Sequence, residues 1–253
     1  AEARGLVSPS PAAAGEGRVR APTRPGLPGA GRPPARARHL WALPAAGAAA
    51  LAAAAFTLPL LLADADFARG VAEAQTGNPA GFNLIQRARQ LAPHEGHYAE
   101  VMGDGQLLEA ESGRFPVAAA LANAIASYDA AIADAPLESI LYLKRGSAAA
   151  YGVSTGQPHL AGPAEADMAH ALQLAPFRSA YYQQWGQDRL AMGRPADAIP
   201  LFEKAIQLGP SDASLFASYS QALRAVGRMQ EADAAYATFV RQSAAPAFSS
   251  LSS

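Results

Sequence analysis

The sequence predicts an all-α fold, a solenoid of antiparallel helical hairpins preceded by one transmembrane helix. A spacing of small and large apolar residues recurs five times in the C-terminal two thirds of the chain. A run of 24 residues without a charged side chain, 40–63, precedes these repeats. The composition is rich in alanine and contains only 16% charged residues, which favours closely packed helices over sheets.

The overall composition excludes several classes of function. The formal net charge is −1 and the pI is about 6.6, so no nucleic-acid partner is indicated. The 253 residues include no cysteine, which excludes a disulfide framework, a thiolate metal site and a cysteine nucleophile. Because the chain begins at Ala1 and not at Met, we expect a processed product or a fragment of a longer protein.

Residues 1–39 are predicted to form a disordered basic segment. The first 38 residues contain seven Pro, six Gly and seven Arg, but only four sizeable aliphatic side chains. Such a segment buries too little apolar surface to offset the entropy of ordering it. It is either a solvated linker or a basic arm that lies on anionic lipid headgroups.

Residues 40–63 are predicted to form a transmembrane helix. At roughly 1.5 Å per residue the run spans about 36 Å, enough for a hydrocarbon core of about 30 Å. Arginines precede it and Asp64 and Asp66 follow it, so the positive-inside rule places the later residues outside the cytoplasmic membrane. Two alternatives stay open. One is a secretory signal cleaved near Ala63, and the other is a buried soluble helix, because Pro44 and Pro59 weaken a membrane span.

Residues 64–241 are predicted to form about five helical hairpins. The second helix of each hairpin repeats a small residue, a large residue, a second small residue and a closing Pro at spacings of four, three and five. The copies are Ala198, Phe202, Ala205 and Pro210; Ala164, Met168, Ala171 and Pro176; Ala124, Tyr128, Ala131 and Pro136; a weaker Gly81, Ile85, Ala88 and Pro93; and Ala232, Tyr236 and Phe239 without the Pro.

The repeat resembles the tetratricopeptide family. The separations from Pro176 to Pro210 and from Gly193 to Gly227 are both 34 residues, the period of that family. The resemblance implies a right-handed solenoid in which Gly186 allows close helix packing and the two other glycines end helices. Wider Pro spacings predict insertions of about nine residues around 103–116 and about six around 153–160.

Residues 242–253 are predicted to be a flexible tail. A tetratricopeptide array is usually closed by a solvating helix that covers its last apolar face. The stretch QSAAPAFSSLSS offers only Phe248 and Leu251 for that purpose. Either these side chains fold back over the end of the array, or the end is left for a partner or another copy of the chain.

A second, narrower resemblance concerns the membrane context. The stretches LLADADFARGVAEAQTGNPAG and RARQLAPHEGHYAEVMGD look like the C-terminal end of O-antigen ligase or polymerase-type membrane proteins. Those proteins carry many upstream membrane spans, and some end in an extracytoplasmic tetratricopeptide tail. The resemblance implies a non-catalytic C-terminal module of a glycan-assembly protein, with the catalytic residues outside this chain.

The candidate binding site is the concave groove that the first helix of each hairpin lines in the tetratricopeptide family. It lacks the cluster of Lys and Arg with which chaperone-binding members hold a peptide carboxylate. Its amides suit a polar protein or peptide partner, or a hydroxyl-rich ligand such as a glycan acceptor. By position the groove residues are Glu100, Asp104, Lys144, Ser147, Gln183, Gln184, Gln187, Gln221 and Arg224.

Two patterns of acidic and histidine residues are candidate metal sites. His94, His97 and Glu100 have spacings that could bring three ligands together on and beside one helix face. The alternative is a polar first turn of a helix, and no second ligand cluster is visible in the sequence. Asp64 and Asp66 have the form of the metal-binding DxD motif, but no strand or α/β domain accompanies them.

Three functions follow from these patterns. The first is an interaction scaffold displayed outside the cytoplasmic membrane as part of a glycan-assembly protein. The second is a stand-alone, single-span scaffold for envelope protein complexes. The third is a metal-dependent enzyme at His94, His97 and Glu100. The sequence shows no nucleophile elbow, phosphate-binding loop or cofactor motif, so a binding function is favoured over catalysis.

Overall fold

The computed structural model describes residues 35–76, 78, 80–113, 115–209 and 212–249. These ranges contain helices and turns and no strand. The contacts divide the chain into two units, 1–51 and 52–253, and the second contains the hairpins. The helices are α1 Ala35–Gln75, α2 Ala80–Leu91, α3 Gly96–Glu111, α4 Val117–Asp134, α5 Ser139–Ser154, α6 Ala161–Leu174, α7 Ser179–Ala191, α8 Pro195–Leu208, α9 Ser214–Ala225 and α10 Met229–Ser249.

The predicted disordered segment falls largely outside the described residues, whereas most of the predicted flexible tail lies inside them. Residues 1–34 and 250–253 are not described, while 35–39 begin α1 and 242–249 continue α10. The helix α1 also passes through Pro44 and Pro59 and through the predicted boundary at residue 64. The acidic residues after that boundary contact the next two helices. Asp64 accepts a hydrogen bond from the Tyr98 hydroxyl of α3, and Asp66 Oδ2 lies 3.2 Å from Arg87 Nε of α2.

The stretch 50–75 of α1 is long and apolar enough to cross a membrane by length and composition. Its mean hydropathy reaches 1.5, and few of its residues are buried. Phe56, Leu58 and the run Leu60–Leu62 are among its exposed large apolar side chains. A core helix of a soluble protein would instead bury most of this surface.

Successive helices pair into antiparallel hairpins, α3 with α4, α5 with α6, α7 with α8 and α9 with α10. The C-terminal part of α1 pairs with α2, where a Cβ added at Gly70 would lie 2.8 Å from the Gly81 carbonyl oxygen. The first helices of consecutive hairpins also contact each other, notably α5 and α7. This is the fold of a tetratricopeptide solenoid.

In each hairpin the two helices pack together where a small residue of the first helix faces the second helix, and in four of them a large side chain lies opposite it. A Cβ added at Gly186 would lie 2.5 Å from the Phe202 ring, and one at Gly103 would lie 2.7 Å from the Tyr128 ring. The large residues are fully buried in both cases. The four glycine pairs are Gly70 with Ile85, Gly103 with Tyr128, Gly146 with Met168, and Gly186 with Phe202. In the last hairpin Ser220 takes the small position and its Oγ donates to the Ala232 carbonyl oxygen at 2.8 Å.

The sequence-derived repeat positions are therefore confirmed as the core of the hairpins. The paired alanines of α4, α6 and α8 are 0–1% exposed. Tyr236, the corresponding large residue of α10, remains 47% exposed, and Phe239 is only partly buried. No further hairpin follows them within the described residues. Gly193 and Gly227 end helices at φ 73° and 82°, a region that a side chain penalises.

The two predicted insertions lengthen particular helices. α3 and α4 have 16 and 18 residues, against 13 and 14 in α7 and α8. The third hairpin has a 16-residue first helix and a 3₁₀ turn, Pro158–Leu160, before α6. The second hairpin, formed by α3 and α4, is thus longer than its neighbours.

Candidate functional site

A cavity of about 410 Å³ lies along the first helices of three consecutive hairpins. Polar side chains of α3, α5 and α7 converge on it, and Tyr128 reaches it from α4. Apolar side chains form the wall between them. The lining residues are Asp104, Leu107, Glu111, Tyr128, Ile140, Leu143, Lys144, Ser147, Tyr151, Gln184, Asp188 and Ala191. Four of the predicted groove residues, Asp104, Lys144, Ser147 and Gln184, are in this lining.

Lys144 connects α5 to α3 at one end of the cavity. Its Nζ lies 2.6 Å from Glu100 Oε1 and 2.7 Å from Asp104 Oδ2. Burial acts to raise the pKa of Glu100, but the adjacent ammonium outweighs it and holds that pKa below its usual value. Burial likewise acts against the charge of Lys144, and the two carboxylates raise its pKa instead. The ammonium of Lys144 is thus already occupied by two carboxylates.

Asp104 also binds the second helix of its own hairpin. The Tyr128 hydroxyl donates to Asp104 Oδ1 at 2.8 Å, while its ring packs on Gly103. Burial and the neighbouring carboxylate together raise the pKa of Tyr128 far above its ordinary value. Asp104 is consequently held in one orientation by Lys144 and Tyr128, with part of its side chain facing the cavity.

Asp188 lies at the other end of the cavity and is only 7% exposed. Ser147 Oγ donates to its Oδ2 at 2.8 Å, and Gln184 Nε2 donates to its Oδ1 at 3.0 Å. Burial raises the pKa of Asp188 to about 6, although both hydrogen bonds act to lower it. A buried carboxyl group held by neutral donors therefore lines the wall between α5 and α7.

The structure brings together only part of the predicted set of groove residues. Asp104, Lys144, Ser147 and Gln184 line the cavity, and Glu100 joins them through Lys144. Among the described residues, the lining contains a single amide and not the amide-rich surface that the sequence indicated. The other predicted amides lie elsewhere or are engaged by the next hairpin.

The remaining predicted residues lie between α7 and α10, outside the cavity lining. Gln183 and Gln187 donate to the hydroxyls of Ser214 and Ser218 at 3.0 and 3.3 Å. Gln221 is exposed on α9. Arg224 pairs with Asp233 of α10 at 2.9 Å and lies over the Tyr236 ring. Most of these side chains join neighbouring helices, so they have less freedom to bind a ligand.

Sequence reasoning missed Glu111, Tyr151 and Asp188. Asp188 lies one helical turn after Gln184, which was assigned to the groove, and the four-residue spacing could have found it. Tyr128 was assigned to the core, and its hydroxyl reaches the cavity as well. The missed residues change the character of the groove from neutral to acidic.

The predicted metal ligands do not assemble. His97 Nδ1 lies 3.3 Å from Glu100 Oε2, but the other oxygen of Glu100 is bound by Lys144, and His94 does not join them. Across the part of the chain that the structure describes, no group of three His, Asp or Glu side chains could hold a metal ion. Asp64 and Asp66 lie inside α1, where they bind Tyr98 and Arg87.

Comparison with known proteins gives a likeness of fold only. No family model and no curated protein matches the chain. Solved structures do match. A thermophilic TPR protein of Thermus thermophilus has 17% identity and a TM-score of 0.56, over 71% of this chain and 91% of that one.

Two further structures match over similar lengths. PilF of Pseudomonas aeruginosa has 20% identity and a TM-score of 0.54, over 73% of this chain and 78% of that one. MamA of Desulfovibrio magneticus RS-1 has 12% identity and a TM-score of 0.56, over 72% of this chain and 96% of that one. These matches show that the chain shares its helical-hairpin fold with these structures.

Proposed function

We propose that this chain is a non-catalytic interaction scaffold that binds a peptide segment of a partner protein in the groove between α3, α5 and α7. The observation that carries the proposal is the cavity of about 410 Å³ that three consecutive hairpins build together. Its volume lies within the range of about 300–1,000 Å³ usual for ligand pockets. Its walls are mainly apolar, with a few oriented polar groups.

The lack of a free amide among the described residues of the lining favours a peptide over a glycan acceptor in this groove. Sugar recognition uses arrays of free amide and carboxylate partners, whereas Gln184 here is committed to Asp188. A glycan acceptor remains the second candidate, because Asp104, Glu111 and Tyr151 offer hydroxyl-binding groups along the same wall. The two ligands are distinguished by a binding screen with peptides and with oligosaccharides.

The test fills the groove without disturbing the core. Ala191 lines the cavity and is exposed, so Ala191→Trp should block the groove and leave the fold intact. Ala169, which is exposed on α6 and absent from the cavity lining, provides the matched control Ala169→Trp. The full chain in lipid nanodiscs is used to select binders from a displayed random peptide library. Binding of the selected peptides should fall at least tenfold in Ala191→Trp and stay unchanged in Ala169→Trp.

We further propose that α1 anchors the chain in the cytoplasmic membrane with the hairpins on the extracytoplasmic side. The exposed apolar surface of residues 50–62 and the arginines that precede it support this orientation. Because the chain has no cysteine, Ala169→Cys creates a unique thiol. A membrane-impermeant maleimide should label it in intact spheroplasts. Labelling only after lysis would contradict the proposed orientation.

The parent protein is proposed to be of the O-antigen ligase or polymerase type, with this chain as its non-catalytic C-terminal module. The sequence resemblance of residues 61–81 and 87–104 supports it. Reading the coding DNA upstream of Ala1 tests it. An open frame with many apolar spans is expected, whereas a start codon within a few residues would favour the stand-alone scaffold.

A further inference from the structure

A second cavity, of about 600 Å³, lies beside the first between α1, α2 and α3. Its lining is predominantly apolar and includes both buried and exposed side chains. Gln75, Asn78, Glu109 and Ser112 contribute the polar part of its edge. The apolar lining residues are Val71, Ala74, Phe82, Ile85, Val101, Leu108 and Phe115.

The length of the second hairpin explains the exposed part of this cavity. α3 has 16 residues, whereas α2 beside it has only 12. Leu108, near the end of α3, stays 67% exposed, and Phe115, in the following loop, stays 53% exposed. A Cβ added at Gly105 would lie 2.4 Å from the Phe82 ring, so that ring rests directly on the backbone of α3 and forms the floor. The apolar wall is therefore built into the fold.

Asp104 lines both cavities and joins them. On one side of it the surface is apolar, and on the other side Glu111 and Asp188 add two more carboxyl groups. Among the described residues of the two linings, Lys144 is the one cation, and it is already shared between Glu100 and Asp104. The potential of the joined surface therefore favours a cation beside an apolar group.

We propose that the joined cavities bind a partner peptide that places a large apolar side chain against Phe82, Leu108 and Phe115, and a nearby Lys or Arg side chain between Asp104, Glu111 and Asp188. This inference rests on the proposed peptide-binding function and specifies the chemistry of the peptide. The apolar anchor supplies affinity by burying surface that is otherwise left in water. The cation supplies selectivity and a dependence on salt.

The first test is the sequence content of peptides selected by the full chain in nanodiscs, which avoid free detergent that would fill an apolar cavity. The selected peptides should share a large apolar residue and a Lys or Arg at a fixed spacing. Replacing either residue of a synthetic selected peptide by Ala should weaken binding about tenfold or more, measured by fluorescence anisotropy.

The second test uses matched variants of exposed apolar residues. Leu108→Glu and Phe115→Ser should each weaken binding of the selected peptide about tenfold. Leu137 and Phe177 are exposed to 81% each and absent from both linings. Leu137→Glu and Phe177→Ser should therefore leave the affinity within about twofold of the parent value. All four residues are exposed, so folding should be retained, which circular dichroism verifies.

The third test asks whether Glu111 contacts the Lys or Arg side chain of the peptide. Glu111→Gln should weaken the Lys- or Arg-containing peptide, and should have no effect on the same peptide with Ala at that position. Asp134→Asn, a change to an exposed acid outside both linings, is the control. Equal effects of Glu111→Gln on the two peptides would contradict the assigned contact.

The outcomes separate this inference from the function on which it rests. Ala191→Trp could block the binding of selected peptides that lack the paired apolar and basic residues. That result would overturn the inference and leave the proposed groove function unaffected. Selected peptides whose binding is unchanged by Ala191→Trp would overturn both the inference and the proposed groove function. Concentration-dependent self-association that Leu108→Glu abolishes, without peptide selection, would show that a second copy covers the apolar cavity and would also overturn the inference.

Discussion

The contact between Gly186 and Phe202 gives the sharpest test of how the hairpins are held together. In Gly186→Ala the new Cβ would lie 2.5 Å from the Phe202 ring, against the 3.5–4.0 Å of an optimal carbon contact. Overpacking of this kind costs about 1–3 kcal/mol, while Ala in place of Gly within a helix gains up to about 1 kcal/mol. We expect a net loss of about 1 kcal/mol in the free energy of unfolding, measured by denaturant unfolding of the full chain with circular dichroism as the signal.

Gly162 provides the matched control for this prediction. It lies in α6, and a Cβ there would meet nothing within 4 Å. Gly162→Ala should therefore keep the helix gain and become more stable, so the two variants should change stability in opposite directions. The smaller side chain in Phe202→Leu should relieve the clash, and the cost of Gly186→Ala should fall by about 1 kcal/mol in that background. The reasoning would be refuted if Gly186→Ala stabilised the chain as Gly162→Ala does.

Three further perturbations test other parts of the structure. Burial raises the pKa of Asp188 to about 6, so the folded carboxyl retains a proton that the unfolded chain has lost. The free energy of unfolding should therefore fall by about 2 kcal/mol as pH rises from about 4 to 6, and Asp188→Asn should lack this fall in unfolding curves taken across that range. Arg145→Met leaves the carboxylate of Asp167, which is 6% exposed, without its cation, so the free energy of unfolding should fall by about 3 kcal/mol. Arg228→Met is the control, because it removes only a surface ion pair and should leave the thermal midpoint unchanged. Gly227→Ala places a side chain on a residue with φ 82°, so the free energy of unfolding should fall by about 1 kcal/mol and the thermal midpoint should be lower. An unchanged midpoint would contradict the assigned role of Gly227 at the end of α9.

The core of the hairpins could be predicted from the sequence because its residues recur on one face of one helix. Ala198, Phe202 and Ala205 have fixed spacings, and close packing admits few alternatives at each of these positions. The nine-residue insertion was predictable for the same reason, since the repeat defines where it begins. Its consequence, an apolar cavity beside α3, depends on the length of the neighbouring α2 and could not be read from one hairpin.

The candidate site was only partly predictable because its geometry depends on how consecutive hairpins are placed. Position within the repeat predicted that Asp104, Lys144 and Ser147 lie on one surface, and all three line the cavity between α3, α5 and α7. It did not show that Gln183 and Gln187 would donate to hydroxyls of the following hairpin, because those bonds depend on the relative rotation of α7 and α9. A local spacing pattern contains no information on that rotation.

The pairing of a small and a large residue inside each hairpin bears on how such an array can be lengthened or shortened over time. Gly103 with Tyr128 and Gly186 with Phe202 each lie within one repeat, so a gene duplication that copies a whole repeat transmits both members of the pair. A recombination breakpoint between the two helices would instead combine mismatched halves, for example Gly146 with Phe202 in place of Met168. Viable crossovers should therefore concentrate in the loops between hairpins, so that the array gains or loses whole hairpins.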